Sequence, residues 1–410
     1  MRENNSREIP TEGTILPRGL FLIAFLTFVF FTGYNMMTPV LPLYITSLGA
    51  SKLELGAIIA VLPATSIIAR LPFSVISNRI GRWPVAILAL VLQLAAYCFL
   101  YLTPSVVWLY PVMMVYGLAV SSFGPSAIAI ALDSSPLGKK GAVMGRFYAS
   151  IGAGMIVGPC LTSLLTFYYE FSLVFLFALV LPASGLGVLL AFGRLSLIRG
   201  PVPALEVSGS SSDSMLVALK RVLLQRNILI LSASSVTFFI ALGAFDSMFP
   251  IYANEDLALK SFQIGLLFAA RGIPNALSRI PAGTVSDRVG RRVPLIFSYG
   301  VACLALFSIS YVSNAYLLMI LLGLYGLAWG ARTAPSAALY SDNVSAVDTG
   351  LVSTLIWLTS DIAMAVGAGL AGVLTLVLPI PMILRAASIL VLPGLLGILM
   401  ISEPNTRKRR

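Results

Sequence analysis

"GTVSDRVGRR", Gly283–Arg292, sets four charges in ten residues of a 410-residue chain in which 10% of residues are charged and 58% are hydrophobic. Soluble domains average roughly 45–50% apolar and about 25% charged residues, so this composition lies far from theirs. With a mean hydropathy of +0.94, the chain reads as one embedded in a lipid bilayer. The decisive question is what so polar a turn does between two apolar segments.

A spanning helix needs about 20 predominantly apolar residues. Twelve such segments fit: 19–45, 53–77, 84–103, 106–132, 142–167, 171–193, 228–252, 262–286, 293–313, 315–340, 350–377 and 382–402. The expected fold is an all-α membrane protein with twelve transmembrane helices. The first segment lacks a small-residue cleavage site, so a removed signal peptide is not expected. Lys and Arg concentrate in alternate loops. Arg79, Arg82, Lys139, Lys140, Arg288, Arg291, Arg292 and the Arg407–Arg410 cluster share one side, against Lys52, Lys260 and Arg385 on the other. That asymmetry places both termini in the cytoplasm, and it accounts for the net charge of +11 without nucleic acid. Cys98, Cys160 and Cys303 fall within spans at spacings that make neither a disulfide framework nor a zinc site, and read as packing residues.

The quoted turn has an echo 209 positions earlier, "SVISNRIGRW" at Ser74–Trp83. The same offset pairs Gly56 with Gly265, Arg70 with Arg279, Arg79 with Arg288, Gly81 with Gly290 and Arg82 with Arg291. A second echo, "YGLAVSSFGPSA" (Tyr116–Ala127) against "YGLAWGARTAPSA" (Tyr325–Ala337), holds nearly the same register. Two matches in one register imply two homologous halves of six spans each. The expected organisation is a first bundle over 1–193, a linker over 194–227 and a second bundle over 228–410. Within the linker, Arg199–Ser214 is rich in Pro, Gly and Ser, and Met215–Asn227 has the pattern of a helix lying in the membrane interface.

These residues resemble the major facilitator superfamily. Gly283, Asp287, Arg288, Gly290, Arg291 and Arg292 match that family's loop motif between the second and third helices of a half, and Asn78, Arg79, Gly81 and Arg82 stand at the corresponding places of the first copy. Gly154, Gly158 and Pro159 resemble the fifth-helix motif of the family's antiporters, although Thr162 and Ser163 replace two of its glycines. The family's drug exporters carry an Arg four residues before the position of Gly117; Met113 stands there instead. The resemblance implies a fold of two pseudo-symmetric six-helix bundles and transport by alternating access.

Glycine permits a tight turn, and the arginines suit the phosphate level of the bilayer. Asp287 needs a further reason, because an acid near the hydrocarbon boundary is costly unless paired. By resemblance, it meets the positive end of span five, near Gly141–Gly145, when the cytoplasmic side is shut. Such a contact contributes about 0.3–1 kcal/mol, rising to about 2 when partly buried. Asn78 in the first copy implies a weaker contact with the start of span eleven, near Gly350.

Ionisable groups inside spans are candidates for function, since each costs at least about 2.5–3.5 kcal/mol at the helix centre. The first half carries Arg146; the second carries Asp246, Arg271, Arg332 and Asp361. At about 1.5 Å of rise per residue, Arg271 and Asp361 both fall near the midplane, where they could pair. The resemblance turns spans seven, eight, ten and eleven toward a central cavity. It implies a site in which Asp361 or Asp246 takes up a proton while Arg271 holds an anionic group or tunes the acid. The other reading is a neutral ion-pair network of two Asp and two Arg. Tyr34, Asn35, Gln93, Tyr116 and Tyr325 offer hydrogen-bonding groups to the cavity or to helix packing, and Trp329 and Trp357 read as core. Gly154 and Gly158, four residues apart, permit close helix approach.

Phosphate-binding loop, nucleophile–base pair and metal-ligand cluster are all lacking in the sequence, and there is no His. No enzyme activity, cofactor or metal is expected. The expected partners are a small-molecule substrate, protons and the lipid bilayer, with the protein a monomer in the cell membrane. Two alternatives stay open: a facilitator of a neutral solute such as a sugar, and a non-transporting sensor of the same fold.

Overall fold

The computed structural model describes residues 18–134, 140–169, 171–192, 222–344 and 349–401. All regular structure among them is helical. Twelve helices follow one another: α1 (Arg18–Ser47), α2 (Lys52–Ile80), α3 (Arg82–Leu102), α4 (Val106–Asp133), α5 (Lys140–Tyr168), α6 (Phe171–Phe192), α7 (Arg226–Glu255), α8 (Ser261–Val289), α9 (Arg292–Ile309), α10 (Ala315–Asp342), α11 (Thr349–Leu374) and α12 (Ile380–Met400). Of the linker expected over 194–227, residues 194–221 lie outside the described residues, and Arg226 and Asn227 belong to the start of α7.

Helices of this length follow from solvent: in hydrocarbon each backbone N–H and C=O must be satisfied within its own segment. Eleven of the twelve are long and apolar enough to cross a membrane. The exception is α8, whose 29 residues are interrupted by Gln263, Arg271, Asn275, Ser278 and Arg279. Its length still corresponds to about 43 Å at about 1.5 Å per residue, and its polar groups are explained below by what faces them. Large side chains such as Ile68, Leu190 and Tyr316 lie exposed on the outside, as a lipid-facing surface requires.

Helices α1–α6 pack mainly on one another, as do α7–α12, and the two bundles meet chiefly through α2 against α11 and α5 against α8. The two duplicated turns lie on the same face of the molecule, here termed the basic face. In both, glycine is required: Gly81 has φ +103° and Gly290 has φ +96°, a region that side chains with a Cβ rarely adopt. Each following arginine then reaches across its bundle. Arg82 pairs with Asp133 at the end of α4, and Arg291 pairs with Asp342 at the end of α10. Arg79 and Arg288 are exposed beside these turns. Arg292 donates to the backbone carbonyl of Leu399.

The interfaces between bundles depend on small residues. A Cβ on Gly56 would come 2.6 Å from the Ala368 carbonyl oxygen and from Gly372 Cα; one on Gly265 would come 2.8 Å from Ser163 Cα. These two contacts are images of each other under the 209-residue offset, so the repeat extends to the packing of α2 on α11 and α8 on α5. At the face opposite the basic one, Lys52 and Glu255 form a 2.7 Å ion pair between the bundles. Gly154 and Gly158 serve a different contact. They bring α5 onto α1 within the first bundle, with a Cβ at Gly158 falling 2.6 Å from the Thr32 carbonyl oxygen. Pro159 is buried beside them, and the Thr162 hydroxyl donates to Met36 O at 2.8 Å.

Candidate functional site

The charges within the membrane pair differently from the sequence expectation. Arg271 does not meet Asp361. It donates through Nη1 to Asp246 Oδ1 at 2.5 Å, joining α8 to α7 inside the second bundle. Asp361 instead pairs with Arg70, which donates through Nε at 3.0 Å and also through Nη2 to Asp361 Oδ2. This pair joins α2 to α11 and hence the two bundles. Both members are buried, Arg70 2% and Asp361 8% exposed. Arg70 sits ten residues from the end of α2, or about 15 Å along its axis, at mid-membrane depth.

Arg70 was thus a membrane-embedded charge that the sequence reading used only as a repeat match. It sits in the run "IIARLPF", where one charge does not break the apolar span. Its partner in the repeat, Arg279, was missed in the same way. The first half therefore carries its deep charge at Arg70 and not at Arg146, which is exposed on α5.

Aromatic rings surround both arginines. The Arg271 guanidinium lies 4.5 Å from the Phe268 ring centroid, 5.5 Å from Trp329 and 5.7 Å from Phe245, while Arg70 lies 5.3 Å from Trp357. Both tryptophans therefore have more than a core-filling part, since a weakly hydrated guanidinium over an aromatic face contributes about 2 kcal/mol when desolvated. Tyr34, half-buried on α1, is within electrostatic reach of Asp246, Asp361 and Arg271, so the two ion pairs and this hydroxyl share one region of the interior.

Arg332 has no carboxylate partner among the described residues. It is buried, donates through Nη1 to the Ser235 hydroxyl at 3.1 Å and lies between Phe238 and Phe239 at 4.7 and 4.6 Å. The balance of two Asp against two Arg considered from sequence therefore does not describe the interior, which adds Arg70 and Arg279 to the cations.

Gln93 and Tyr116 lie in the core of the first bundle: Gln93 donates to Phe30 O and to the Tyr97 hydroxyl, both at 2.9 Å, and the Tyr97 and Tyr116 hydroxyls are 3.1 Å apart. Tyr97 completes this network, and periodicity gave it no mark among other apolar positions. Tyr34 packs on Tyr116 at 6.0 Å between ring centroids. Asn35 turns back to the Phe31 carbonyl on its own helix. Tyr325 is fully buried against Phe238 and Phe245, its hydroxyl without a partner among the described residues. Of the cysteines, Cys160 is exposed on the outer surface and so does not pack in a core.

The Asp287 carboxylate is 65% exposed and pairs with Arg291 of its own turn. Gly283, one turn earlier, is half-buried. The side chains of Asn78, Lys140–Ala142 and Gly350 lie outside the described residues, as does Lys139.

The described hydrogen bonds and ion pairs that cross between bundles run from the opposite face to mid-membrane. They comprise Lys52–Glu255, Ser163 Oγ donating to Phe262 O at 2.7 Å, Arg70–Asp361, and Arg279 Nη2 donating to Met155 Sδ at 3.2 Å. The bundles are joined on that side.

This geometry, two bundles of apolar helices meeting over one buried ion pair, suits a membrane carrier. The Major Facilitator Superfamily model matches residues 23–368 and 231–410, so the chain belongs to that superfamily. The chain is 26% identical over 359 residues to an uncharacterized MFS-type transporter of Methanocaldococcus jannaschii, covering 84% of this chain and 86% of the relative. It is 22% identical over 343 residues to the multidrug resistance protein MdtG of Proteus mirabilis, covering 82% and 83%. Among solved structures, a POT family transporter in complex with 5-aminolevulinic acid superposes with a TM-score of 0.77 at 16% identity, over 95% of this chain and 97% of the other. The protein is an integral membrane transporter and not an enzyme.

Proposed function

We propose that this transporter is proton-coupled and works by alternating access, with residues 1–193 and 228–410 as the moving bundles and 194–227 as their linker. The observation that carries this reading is the buried Arg70–Asp361 pair, which ties the bundles together across α2 and α11. Breaking a buried pair by removing one partner costs about 3–5 kcal/mol, because the other charge is left uncompensated. Protonation of Asp361 removes one charge reversibly, so a proton can loosen this contact as the bundles part. Asp246, paired with Arg271 inside the second bundle, adjoins the same region and offers a second acid for coupling or substrate contact.

Contacts concentrated toward the opposite face correspond to a state open toward the basic face. The basic loops favour the cytoplasm for that face, with both termini there and the protein in the cell membrane as a monomer. The relative described as a multidrug resistance protein favours export of small aromatic or amphipathic compounds, and the rings of Phe245, Phe268, Trp329 and Trp357 beside charged groups suit such cargo.

The test uses proteoliposomes and a compound chosen because it raises the melting temperature of the purified protein. Accumulation driven by an imposed pH gradient is measured for the wild type, Asp361→Asn and Asp246→Asn. Loss of gradient-driven accumulation in Asp361→Asn, with downhill flux retained, supports the proposal. Full gradient-driven accumulation in both variants sinks the coupling role of these acids, and a wild type that only equilibrates the compound, with no response to the pH gradient, leaves facilitated diffusion.

A further inference from the structure

We propose that the α5–α8 interface holds an oxyanion subsite built on Arg279 and Asn275, which takes the carboxylate or phosphate group of a ligand entering from the basic face. This rests on the transport reading for its purpose but not for its chemistry. The two interfaces between bundles are related by the 209-residue offset, under which Gly56 on Gly372 becomes Gly265 on Ser163. Under the same offset Arg70 becomes Arg279 and Asp361 becomes Gly152. Arg70 meets a carboxylate from the facing bundle; Arg279 meets a helix that has glycine where that carboxylate stood.

Arg279 consequently has only neutral partners. Its Nε and Nη2 donate to Asn275 Oδ1 at 3.3 and 3.0 Å, and Nη2 donates to Met155 Sδ at 3.2 Å. Its Nη1 has no partner among the described residues. Beside it, Asn275 is 0% exposed, and its amide nitrogen is also without an acceptor. A buried donor left unmade is costly, so the fully buried Asn275 amide with its unused N–H, beside a half-buried guanidinium held by neutral partners, forms a site poised for an anion. A guanidinium presents its N–H groups in a planar fork that matches a carboxylate or phosphate. Asp287 on α8 and Asp246 on α7 are already engaged, the first by Arg291 and the second by Arg271.

Access comes from the basic face. Of the described hydrogen bonds between α5 and α8, that of Arg279 lies nearest the basic face, and toward that face along α5 both Arg146 and Tyr148 are exposed. Those two groups extend the polar approach to the site.

The experiment uses the purified full chain and thermal-shift titrations with benzoate, its neutral isostere benzamide, and inorganic phosphate. The variants are Arg279→Gln, Arg279→Lys, and Met155→Glu, in which a carboxylate replaces the sulfur that now faces the guanidinium. Met155→Gln controls for the change in shape. The expected result is stabilisation by benzoate or phosphate but not benzamide, weakened at least 10-fold by Arg279→Gln and by Met155→Glu, retained in Met155→Gln, and intermediate in Arg279→Lys, which keeps the charge without the fork. Preference between the two anions identifies the ligand class. Equal anion stabilisation in wild type, Arg279→Gln and Met155→Glu overturns the proposal, as does no stabilisation of the wild type by either anion. Should Arg279→Gln fail to fold, Met155→Glu decides alone. Binding read in this way stands or falls independently of any pH-driven accumulation.

Discussion

The interface of α2 with α11 and that of α5 with α8 share one design in packing and differ in charge. Both let backbones touch through small residues, Gly56 on Gly372 and Gly265 on Ser163. One then closes over an ion pair, Arg70 with Asp361, and the other over an arginine with neutral partners. Duplication supplied the same scaffold twice, and replacing one residue in the pair Gly152 and Asp361 was enough to make the two joints chemically unequal.

Breaking the ion pair gives the largest expected effect. Asp361→Asn should lower stability by about 3–5 kcal/mol, while Asp361→Leu combined with Arg70→Met should recover most of the loss. Thermal unfolding in detergent checks this; equal losses in the single and double variants would show that the pair does not act as a unit. Next, Gly56→Ala and Gly265→Ala should each disfavour the joined interface by about 1–3 kcal/mol through overpacking. The two should behave alike despite the charge difference, and cysteine labelling from each side of the membrane reads the shift. A strong asymmetry would mean that charge, not close approach, governs both joints.

Smaller effects belong to the surface. Asn78→Asp should favour the state closed at the basic face by about 0.3–1 kcal/mol, the scale of an acid at a helix N-terminus. The same labelling should show reduced access from that side. Lys52→Ala should loosen the opposite face by about 0.2–1 kcal/mol, as for an exposed pair, and high salt should mimic it.

Much of the fold was legible from the chain itself. Apolar runs located every helix, α8 included, and the glycines of the duplicated turns announced backbone angles that the structure contains at Gly81 and Gly290. Pairing of the buried charges was not legible, because depth follows from counting residues whereas partner choice depends on how each helix is rotated about its axis. Arg271 and Asp361 have similar depth, yet Arg271 turns to Asp246 on α7 and Asp361 to Arg70 on α2. Arg70 escaped notice as an interior charge because one cation does not break an apolar span, and Arg279 because it is one of several polar residues on α8. Asp133 and Asp342 were overlooked for the opposite reason: at helix ends they look like ordinary solvated residues, and only the fold brings Arg82 and Arg291 to them.

Those two end-of-helix clasps have a mechanical consequence. By fastening the start of the third helix to the end of the fourth in each half, Arg82–Asp133 and Arg291–Asp342 brace the corner of each block on the basic face. Spin labels on α3 and α4 should therefore hold a fixed separation throughout a transport cycle, while labels on α4 and α10 should swing apart and together, as two stiff jaws do around a shared fulcrum.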